Sequence, residues 1–462
     1  MATLSEIETW LHDQLPALLA EHEVPGAAVG VLYGGEVVDL AAGLLSKATG
    51  VEATADSVFQ IGSITKVWTT TLVMQLVDEG KIDLDVPVRD YLPEFVLGDD
   101  GAATKITTRQ LLSHTAGFEG DIFNDTGKGD DAVEKYLATL AEVSQLFGPG
   151  EMFSYNNAAF AVLGRLVEVL RGEQYNAVLR EQLFTPLGLT HAAGDPYEAI
   201  LHRAAVGHLR PEPGEAPVPA PVWALTRSMA SAGAMLAMSP RDLLTFAELH
   251  LSGGTTADGT AVLSAASVAA MQEPQVKLPA LGMMGDSWGL GWELFDWAGT
   301  TVIGHDGGTI GQGAFLRVVP EHGLAIALLT NGGDMIEVYR AVVSHVAKEL
   351  AGLDLPAMPT PPASAVSVDA DRFLGTYTCD ALDLTVRQDD DGKLWLDQVP
   401  KGIFAELGPK PEPVELVARD EQSLIAVKAE NGLHTPHVFL GDDGTGRALY
   451  LHSGRALRRA TA

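Results

Sequence analysis

The sequence predicts an α+β fold followed by a separate, smaller all-β unit. Three observations carry that prediction. Over the first 350 or so residues, stretches with helical apolar spacing are interspersed with short apolar strand-like runs. Pro356, Pro359, Pro361 and Pro362 then sit among Ala and Ser in a linker-like stretch. Beyond residue 367 the chain turns into short alternating segments separated by turn residues. The boundaries read as 1–352 for the first unit, 353–366 for the linker and 367–462 for the β-domain.

The elements follow in order. Leu4, Ile7, Trp10, Leu11, Leu15, Leu18 and Leu19 recur at helical spacing, and Val24-Pro25-Gly26 ends that helix. Ala27 to Leu32, Gly34-Gly35 and Glu36 to Ala42 read as a hairpin with a glycine turn. Residues 63–80 read as a long buried helix ending at Gly80, and 106–113 as the start of another with Thr107 or Thr108 as cap. Residues 157–171 and Pro240 to Leu251 read as helices, the second capped by Ser239. Val302-Ile303, Gly313 to Val319 and Leu324 to Leu329 read as three antiparallel strands, and 335–351 as a last amphipathic helix. In the C-terminal unit, strands are expected at 382–386, 394–396, 423–427, 438–440 and 448–451. Asp391-Gly392, Asn431-Gly432 and Asp443-Gly444 supply turns, a pattern that fits a small antiparallel barrel or meander.

Composition excludes several function classes. The chain has 462 residues, 30 basic against 61 acidic, and a net charge of −31. Nucleic-acid binding needs clustered Lys and Arg, and an anionic membrane surface attracts the same residues, so neither partner is expected. One cysteine, Cys379, excludes an intrachain disulfide. His191, His202 and His208 have no metal-ligand spacing, so no metal and no cofactor is implied. Met1 to Gly30 has no Lys or Arg, unlike the start of a signal peptide, and no run of about 20 apolar residues exists. The expectation is a cytoplasmic protein.

Ser63-Ile64-Thr65-Lys66 is the first candidate site. A spacing of three puts both side chains on one helical face. An amine at Lys66 can take the Ser63 proton, which a serine must lose to attack a carbonyl. A helix N-terminus adds N–H donors beside the developing oxyanion. Alone the pattern is weak. It gains weight from Tyr155-Asn156-Asn157, which follows Phe147-Gly148-Pro149-Gly150 and opens a helix, and from His305-Asp306-Gly307-Gly308, which lies between two strands. Taken singly, Tyr155 reads as a buried aromatic, Asn157 as a helix cap and His305 as a loop histidine. Their joint occurrence in this order argues for a site.

The order Ser-x-x-Lys, Tyr-x-Asn, His-x-Gly resembles the serine β-lactamase and penicillin-binding-protein superfamily, whose general pattern is Ser-x-x-Lys, Ser-Asp-Asn, Lys-Thr-Gly. The Tyr-x-Asn form is similar to class C β-lactamases, and the His-x-Gly form to the esterases, D-peptidases and amidases related to them. Val24-Pro25-Gly26-Ala27, Ile106 to Gly117, Pro186 to Leu189, Ser231-Ala232-Gly233 and Trp288-Gly289-Leu290-Gly291-Trp292 extend the resemblance over about residues 20–330. It implies an antiparallel sheet flanked by helices, with an all-helical region. Ser63 is then the nucleophile and Lys66 its base. Tyr155 is a second acid/base, its pKa expected to be depressed by neighbouring cationic groups. Asn157 holds Lys66 and a substrate amide, and His305 is a neutral donor to Tyr155 or substrate. The backbone amides of Ser63 and Gly308 form the oxyanion hole, and Gly307 and Gly308 let substrate approach the strand edge closely. Arg109 reads as a buried structural charge and His114 as a packing histidine, with Trp68, Trp288 and Trp292 as core or cleft walls.

In layout the chain resembles the stand-alone penicillin-binding-protein-type thioesterases, which carry a lipocalin-like β-domain after the catalytic domain. The resemblance implies a peptide cyclase. It takes a peptidyl chain ending in a D-amino acid from the peptidyl carrier protein of a nonribosomal peptide synthetase and closes a macrolactam through an acyl-serine. Hydrolysis of the same acyl-enzyme, as in an esterase or D-stereospecific amidase, is the alternative, and the residues leave the choice open. A non-enzymatic β-lactam sensor would need a defective motif, and all three are intact. Arg447, Arg455, Arg458 and Arg459 make the end of the chain basic. It reads either as a solvated tail or as the carrier of Arg455, which would face the cleft and orient a substrate carbonyl or carboxylate.

Overall fold

A computed structural model describes residues 2–460 apart from 213, 283, 365, 402–404, 406–410 and 431. Its centre is a nine-stranded sheet, antiparallel throughout. The order runs Val51–Glu52, Glu36–Ser46, Gly26–Tyr33, Leu324–Thr330, Gly313–Val319, Thr300–Gly308, Glu293–Trp297, Ser287–Trp288, Val276–Lys277. The hairpin at 26–46 thus pairs with the last strand of the 300–330 meander, with Ala27 opposite Thr330 and Val31 opposite Ile326.

Both sheet faces are buried, and residue alternation assigns each side chain to one of them. Val29, Val31, Ile326 and Leu328 point to one face, where the helices Leu4–Glu21 and Met335–Ala351 pack. Ile7, Leu11, Leu15 and Leu19 recur every four residues, and all are at most 4% exposed. Each such fully buried side chain contributes about 1.5–3 kcal/mol. Thr3 caps that helix in a reciprocal pair with Glu6. Ala28, Leu32, Ala325, Ala327 and Leu329 point to the other face, into the larger helical core.

That core is built round the helix Thr65–Asp78, whose residues from Thr65 to Leu76 are all buried. Trp68 stacks on Phe246 of the helix Pro240–Leu251 at 3.8 Å. The helix Asn157–Arg171 is capped by the Asn156 side chain and ends at Gly172 in the left-handed region. The expected helix near 106–113 is only Thr108–Leu112, with Thr107 as its cap. Arg109, expected to be buried, is on the outer side of this short helix. Its side chain is 36% exposed and pairs with Asp85 at 2.7 and 2.8 Å.

The C-terminal unit is a closed antiparallel barrel of eight strands, consistent with a lipocalin-like domain. The five expected strands correspond to Leu382–Gln388, Leu394–Pro400, Ser423–Ala426, Pro436–Leu440 and Tyr450–His452. Three strands escaped the pattern: Gly375–Thr378, Val414–Asp420 and Ala456–Arg459. The first and last of these pair with each other and close the barrel, Tyr377 lying opposite Arg459. The expected turn at Asn431 falls on a residue outside the described set. The basic end of the chain is a closing strand and not a solvated tail. Arg459 donates to the carbonyls of Ala448, Leu374 and Arg372, and its guanidinium lies 4.7 Å above the Tyr377 ring. Those carbonyls and the ring face desolvate the charge without leaving it unpaired.

Candidate active site

Ser63 lies in a tight 3₁₀ turn, Gly62–Ile64, that leads into the helix Thr65–Asp78. Gly62 has φ +52°, and a Cβ there would come within 2.6 Å of the Gly308 nitrogen. A Cβ on Gly307 would sit 1.9 Å from the Ile61 carbonyl oxygen and 3.1 Å from the Ser63 nitrogen. The end of the strand Thr300–Gly308 is thus pressed against the Ser63 turn, a contact that only glycine permits. It brings the backbone amides of Ser63 and Gly308 to one edge of the cleft, where paired N–H donors can stabilise an oxyanion.

Lys66 follows one helical turn on and is fully buried. Its Nζ contacts three oxygens: Ser63 Oγ at 3.0 Å, Asn157 Oδ1 at 2.7 Å and the Ala232 carbonyl at 2.6 Å. A neutral amine has two N–H groups and one lone pair. The two closer partners can only accept, so in the neutral form the N–H groups go to Asn157 and Ala232. The lone pair is then left to the Ser63 hydroxyl. Burial holds the Lys66 pKa well below its ordinary value, Arg455 lowers it further, and Asp121 and Glu293 oppose the shift. This is the state a base needs.

Asn157 passes the contact on. Its Nδ2 donates to Asp121 Oδ1 at 2.7 Å, and Arg455 donates to the Asp121 carboxylate from Nε at 2.8 Å and Nη2 at 3.3 Å. A continuous polar chain therefore runs from Ser63 through Lys66, Asn157 and Asp121 to Arg455 on the barrel.

Tyr155 stands between Lys66 and Arg455. Lys66 Nζ is 4.9 Å and the Arg455 guanidinium 4.8 Å from its ring centroid. His114 stacks on the ring at 4.4 Å, and Trp288 meets it edge-on at 5.7 Å. His114 is a packing residue whose Nδ1 accepts the Asn156 N–H at 2.9 Å. The Tyr155 hydroxyl interacts with Ser63 but lacks a partner of ordinary geometry. Its pKa was expected to fall, and it rises instead. Burial is the largest effect and outweighs the lowering by Ser63 and Arg455. At neutral pH Tyr155 is a phenol that donates, and Lys66 is the group poised to accept a proton.

The barrel completes the wall. Between the strands Tyr450–His452 and Ala456–Arg459, the turn at 453–455 docks on the segment that carries Tyr155. Tyr155 N–H donates to the Gly454 carbonyl at 3.0 Å, and Ala456 N–H to Ser154 Oγ at 3.1 Å. His452 Nε2 donates to the Phe153 carbonyl at 2.8 Å. Arg455 lines the same cavity as Ser63, but its guanidinium is engaged by Asp121 and the Tyr155 ring.

His305 occupies the far side. Its Nδ1 is 2.6 Å from the Asp306 carbonyl. A carbonyl accepts, so Nδ1 carries the proton and Nε2 is an acceptor. The expected donor role for this histidine is thus reversed at Nε2. Burial, and then Lys66, lower its pKa to about 3, which keeps the ring neutral. Glu293 is beside it, with a carboxyl oxygen 3.7 Å from Nδ1. Asp306 is held by Arg317 at 2.6 and 3.1 Å, and that guanidinium lies between the Phe295 and Tyr339 rings. The cavity enclosed by these groups has a volume of about 370 Å³.

The structure brings Ser63, Lys66, Tyr155, Asn157, His305, Gly307, Gly308 and Arg455 together in one cleft. Asp121 and Glu293 escaped the sequence reading. Asp121 is an isolated loop residue with no spacing signal. Glu293 directly follows the Trp288–Trp292 stretch, where a carboxylate next to a buried tryptophan was the available clue. Among the described residues no three His, Cys, Asp or Glu are grouped to hold a metal, and no helix is long and apolar enough to cross a membrane.

A serine held by a buried lysine, beside two backbone amides, on an antiparallel sheet between helical layers defines a serine hydrolase or acyltransferase. The chain belongs to the β-lactamase family, whose model matches residues 11–347. It is 45% identical over 367 residues to penicillin-binding protein 4 of Amycolatopsis lactamdurans, covering 79% of this chain and 96% of that one. The solved structure of SurE superposes with a TM-score of 0.79 at 30% identity over 99% of both chains. The structure of SurE with D-Leu matches with a TM-score of 0.77 at 29% identity, over 99% of this chain and 100% of that one. The unguisins hydrolase ungD' of Aspergillus campestris is 27% identical over 325 residues, 67% of this chain and 58% of its own length.

Proposed function

We propose that this protein is a peptide cyclase that accepts a peptidyl thioester ending in a D-amino acid. The thioester arrives on a nonribosomal peptidyl carrier protein, and the product leaves as a head-to-tail macrolactam. The observation that carries the proposal is the position of Ser63. It contacts a lone-pair-bearing Lys66 in a cavity that the barrel turn at 453–455 helps to wall. A hydrolase has no need to restrict water, whereas an acyl-enzyme that must react with an amine does. The full-length likeness to SurE, barrel included, and the D-leucine bound to that protein support a substrate with a D-residue at the acylating end.

In the proposed mechanism Lys66 Nζ takes the Ser63 proton, and Ser63 Oγ attacks the thioester carbonyl. The Ser63 and Gly308 amides stabilise the oxyanion. Tyr155, as a phenol, donates toward the departing thiolate, which leaves as the thiol, and the proton that Lys66 took from Ser63 passes to Tyr155, so that both groups return to their starting forms. The acyl-serine is then opened by the peptide's own amine. Asn157 keeps Lys66 oriented throughout, and Arg455 keeps its pKa low. The acidic surface of the chain, net −31, makes carrier docking a weak or locally apolar contact. Hydrolysis by the same acyl-enzyme is the second reading, favoured by the relative named as a hydrolase.

The test is a synthetic linear peptidyl thioester with a C-terminal D-residue, with products weighed by mass spectrometry for wild type and Ser63→Ala. A product lighter than the linear acid by one water, absent in the variant, supports the cyclase. The linear acid alone means a hydrolase. Unchanged turnover in Ser63→Ala overturns the acyl-serine mechanism.

A further inference from the structure

The cavity beside Ser63 contains two polar atoms that the acylation chemistry leaves unused. Glu293 Oε2 and His305 Nε2 are buried and have no hydrogen-bond partner among the described residues. Both side chains line the same cavity as Ser63, and they are 2% and 1% exposed. A buried polar atom left unpaired costs about 1–3 kcal/mol. Two such atoms on one cavity wall describe the hydrogen-bond pattern of an occupant.

The pattern is specific. His305 gives its only proton to the Asp306 carbonyl, so Nε2 accepts and nothing else. The other Glu293 carboxyl oxygen lies 3.7 Å from His305 Nδ1, which sets the carboxyl beside the ring. The remaining oxygen, Oε2, keeps an acceptor lone pair whether or not the group is ionised. The occupant must therefore offer two donors. Arg455, Lys66 and the Ser63 and Gly308 amides are elsewhere on the wall, so the Glu293 side is the end that attracts a cation or an N–H group.

We propose that Glu293 Oε2 and His305 Nε2 are the docking point for the primary amine that attacks the Ser63 acyl ester, namely the free N-terminus of a peptide. This rests on the acyl-serine reading given above. A neutral primary amine has two N–H groups and one lone pair. Donation of both N–H groups to these two acceptors leaves the lone pair free for the ester carbonyl. The new C–N bond forms, and the bond from the carbonyl carbon to Ser63 Oγ breaks. One amine proton passes to Lys66 Nζ and from there to Ser63 Oγ. Where Glu293 is ionised, an acceptor that arrives as an ammonium first yields its extra proton to it, and the carboxyl becomes the neutral acid. Asp306 and His305 on the adjoining strand, Arg317 on the next, Lys66 on its helix, and Tyr155 and Tyr339 all face this carboxyl. Burial, the largest effect, and Asp306 raise the Glu293 pKa well above the ordinary carboxylate value against the lowering by Arg317 and Lys66, which makes its ionised form a stronger base. Water shares the two-donor pattern but gains no charge pairing. A secondary amine lacks one of the donors.

The experiment loads Ser63 from a short acyl thioester and supplies alanyl-alanine amide or its N-methyl counterpart as acceptor. The ratio of amide to acid product is read across pH 6–9. That ratio is set after acylation, so slower acylation cancels from it. Wild type is expected to favour the primary amine over the N-methyl acceptor. Glu293→Gln keeps the shape and cannot ionise, and it is expected to lower the amide-to-acid ratio about tenfold and flatten its pH dependence. Glu293→Leu removes the acceptor and is expected to lower the ratio further, with thermal melts confirming that each variant is folded. Ratios and pH dependence equal to wild type in folded variants overturn the assignment of Glu293. The acyl-Ser63 adduct is followed by intact mass in parallel. Its absence overturns the acyl-serine reading itself, a result separate from a failure at Glu293.

Discussion

Replacement of Arg455 by alanine tests how the barrel acts on the base of Ser63. The Lys66 ammonium and the Arg455 guanidinium flank one ring, at 4.9 and 4.8 Å from the Tyr155 centroid, and so are no more than about 9.7 Å apart. At that limit and an effective dielectric of about 20, their repulsion is about 1.7 kcal/mol. The guanidinium therefore adds to the lowering of the Lys66 pKa that burial begins. Solvent reaches the Arg455 side chain, which is 39% exposed, and screening reduces the repulsion to about 1.4 kcal/mol. Loss of Arg455 also strips Asp121 of its partner, and the freed carboxylate favours the ammonium, which is the same sign. The Lys66 pKa therefore rises and the neutral fraction below it falls. The acid limb of kcat/KM for thioester acylation is expected to move to higher pH, with rates below the limb down about tenfold and rates above it restored. Arg455→Lys keeps the charge and is expected to keep the limb near its wild-type position. A loss of rate equal at every pH, with the limb unmoved, would refute the electrostatic argument and leave Arg455 with a contact role alone.

Gly307→Ala forces the strand end off the Ile61 carbonyl, where a Cβ has only 1.9 Å, and misplaces the paired amides. The expected result is a fall in kcat of about 10²-fold with an unchanged circular dichroism spectrum. Asn157→Asp puts a carboxylate 2.7 Å from Lys66 Nζ, so the Lys66 pKa rises and the acid limb of the rate profile moves to higher pH. Arg317→Met strips the half-buried Asp306 of its counter-charge and is expected to cost about 2 kcal/mol of stability in urea titrations. Four buried neutral histidines have lowered pKa values, His250 and His305 to about 3 and His437 and His452 to about 4. Unfolded histidine takes up its proton near pH 6.5, so stability is full above that value and is lost as pH falls toward 4–3. Melting temperatures measured from pH 8 to pH 4 are expected to fall mainly below pH 6.5.

The elements that were legible in the sequence carry their own local signals. The helices at 157–171, 240–251 and 335–351 have apolar stripes and end at cap or glycine residues, so their limits need no knowledge of the rest of the chain. The barrel strands at 375–378 and 456–459 are only four residues long and pair with each other across about 80 residues of chain, a relation that no local pattern encodes. The site divides in the same way. Residue types at fixed spacing picked out Ser63, Lys66, Tyr155, Asn157 and His305. The sign of the Tyr155 shift depends on how deeply the ring is buried by His114, Trp288 and the barrel turn, and nearby charge alone gave the wrong direction. Asp121 matters only because Arg455 reaches it from 334 positions away in the chain.

The docking of the turn at 453–455 against Tyr155 has a consequence for the timing of synthesis. The nucleophile and its base emerge from the ribosome early, yet the guanidinium that adds to the lowering of the base's pKa and the carbonyl that braces Tyr155 are translated some 390 positions later. The wall of the cleft is thus complete only once the final hairpin has paired. A chain cut short before Arg455 presents an open, incompletely tuned cleft, so catalytic competence reports that translation has run through to the last strand.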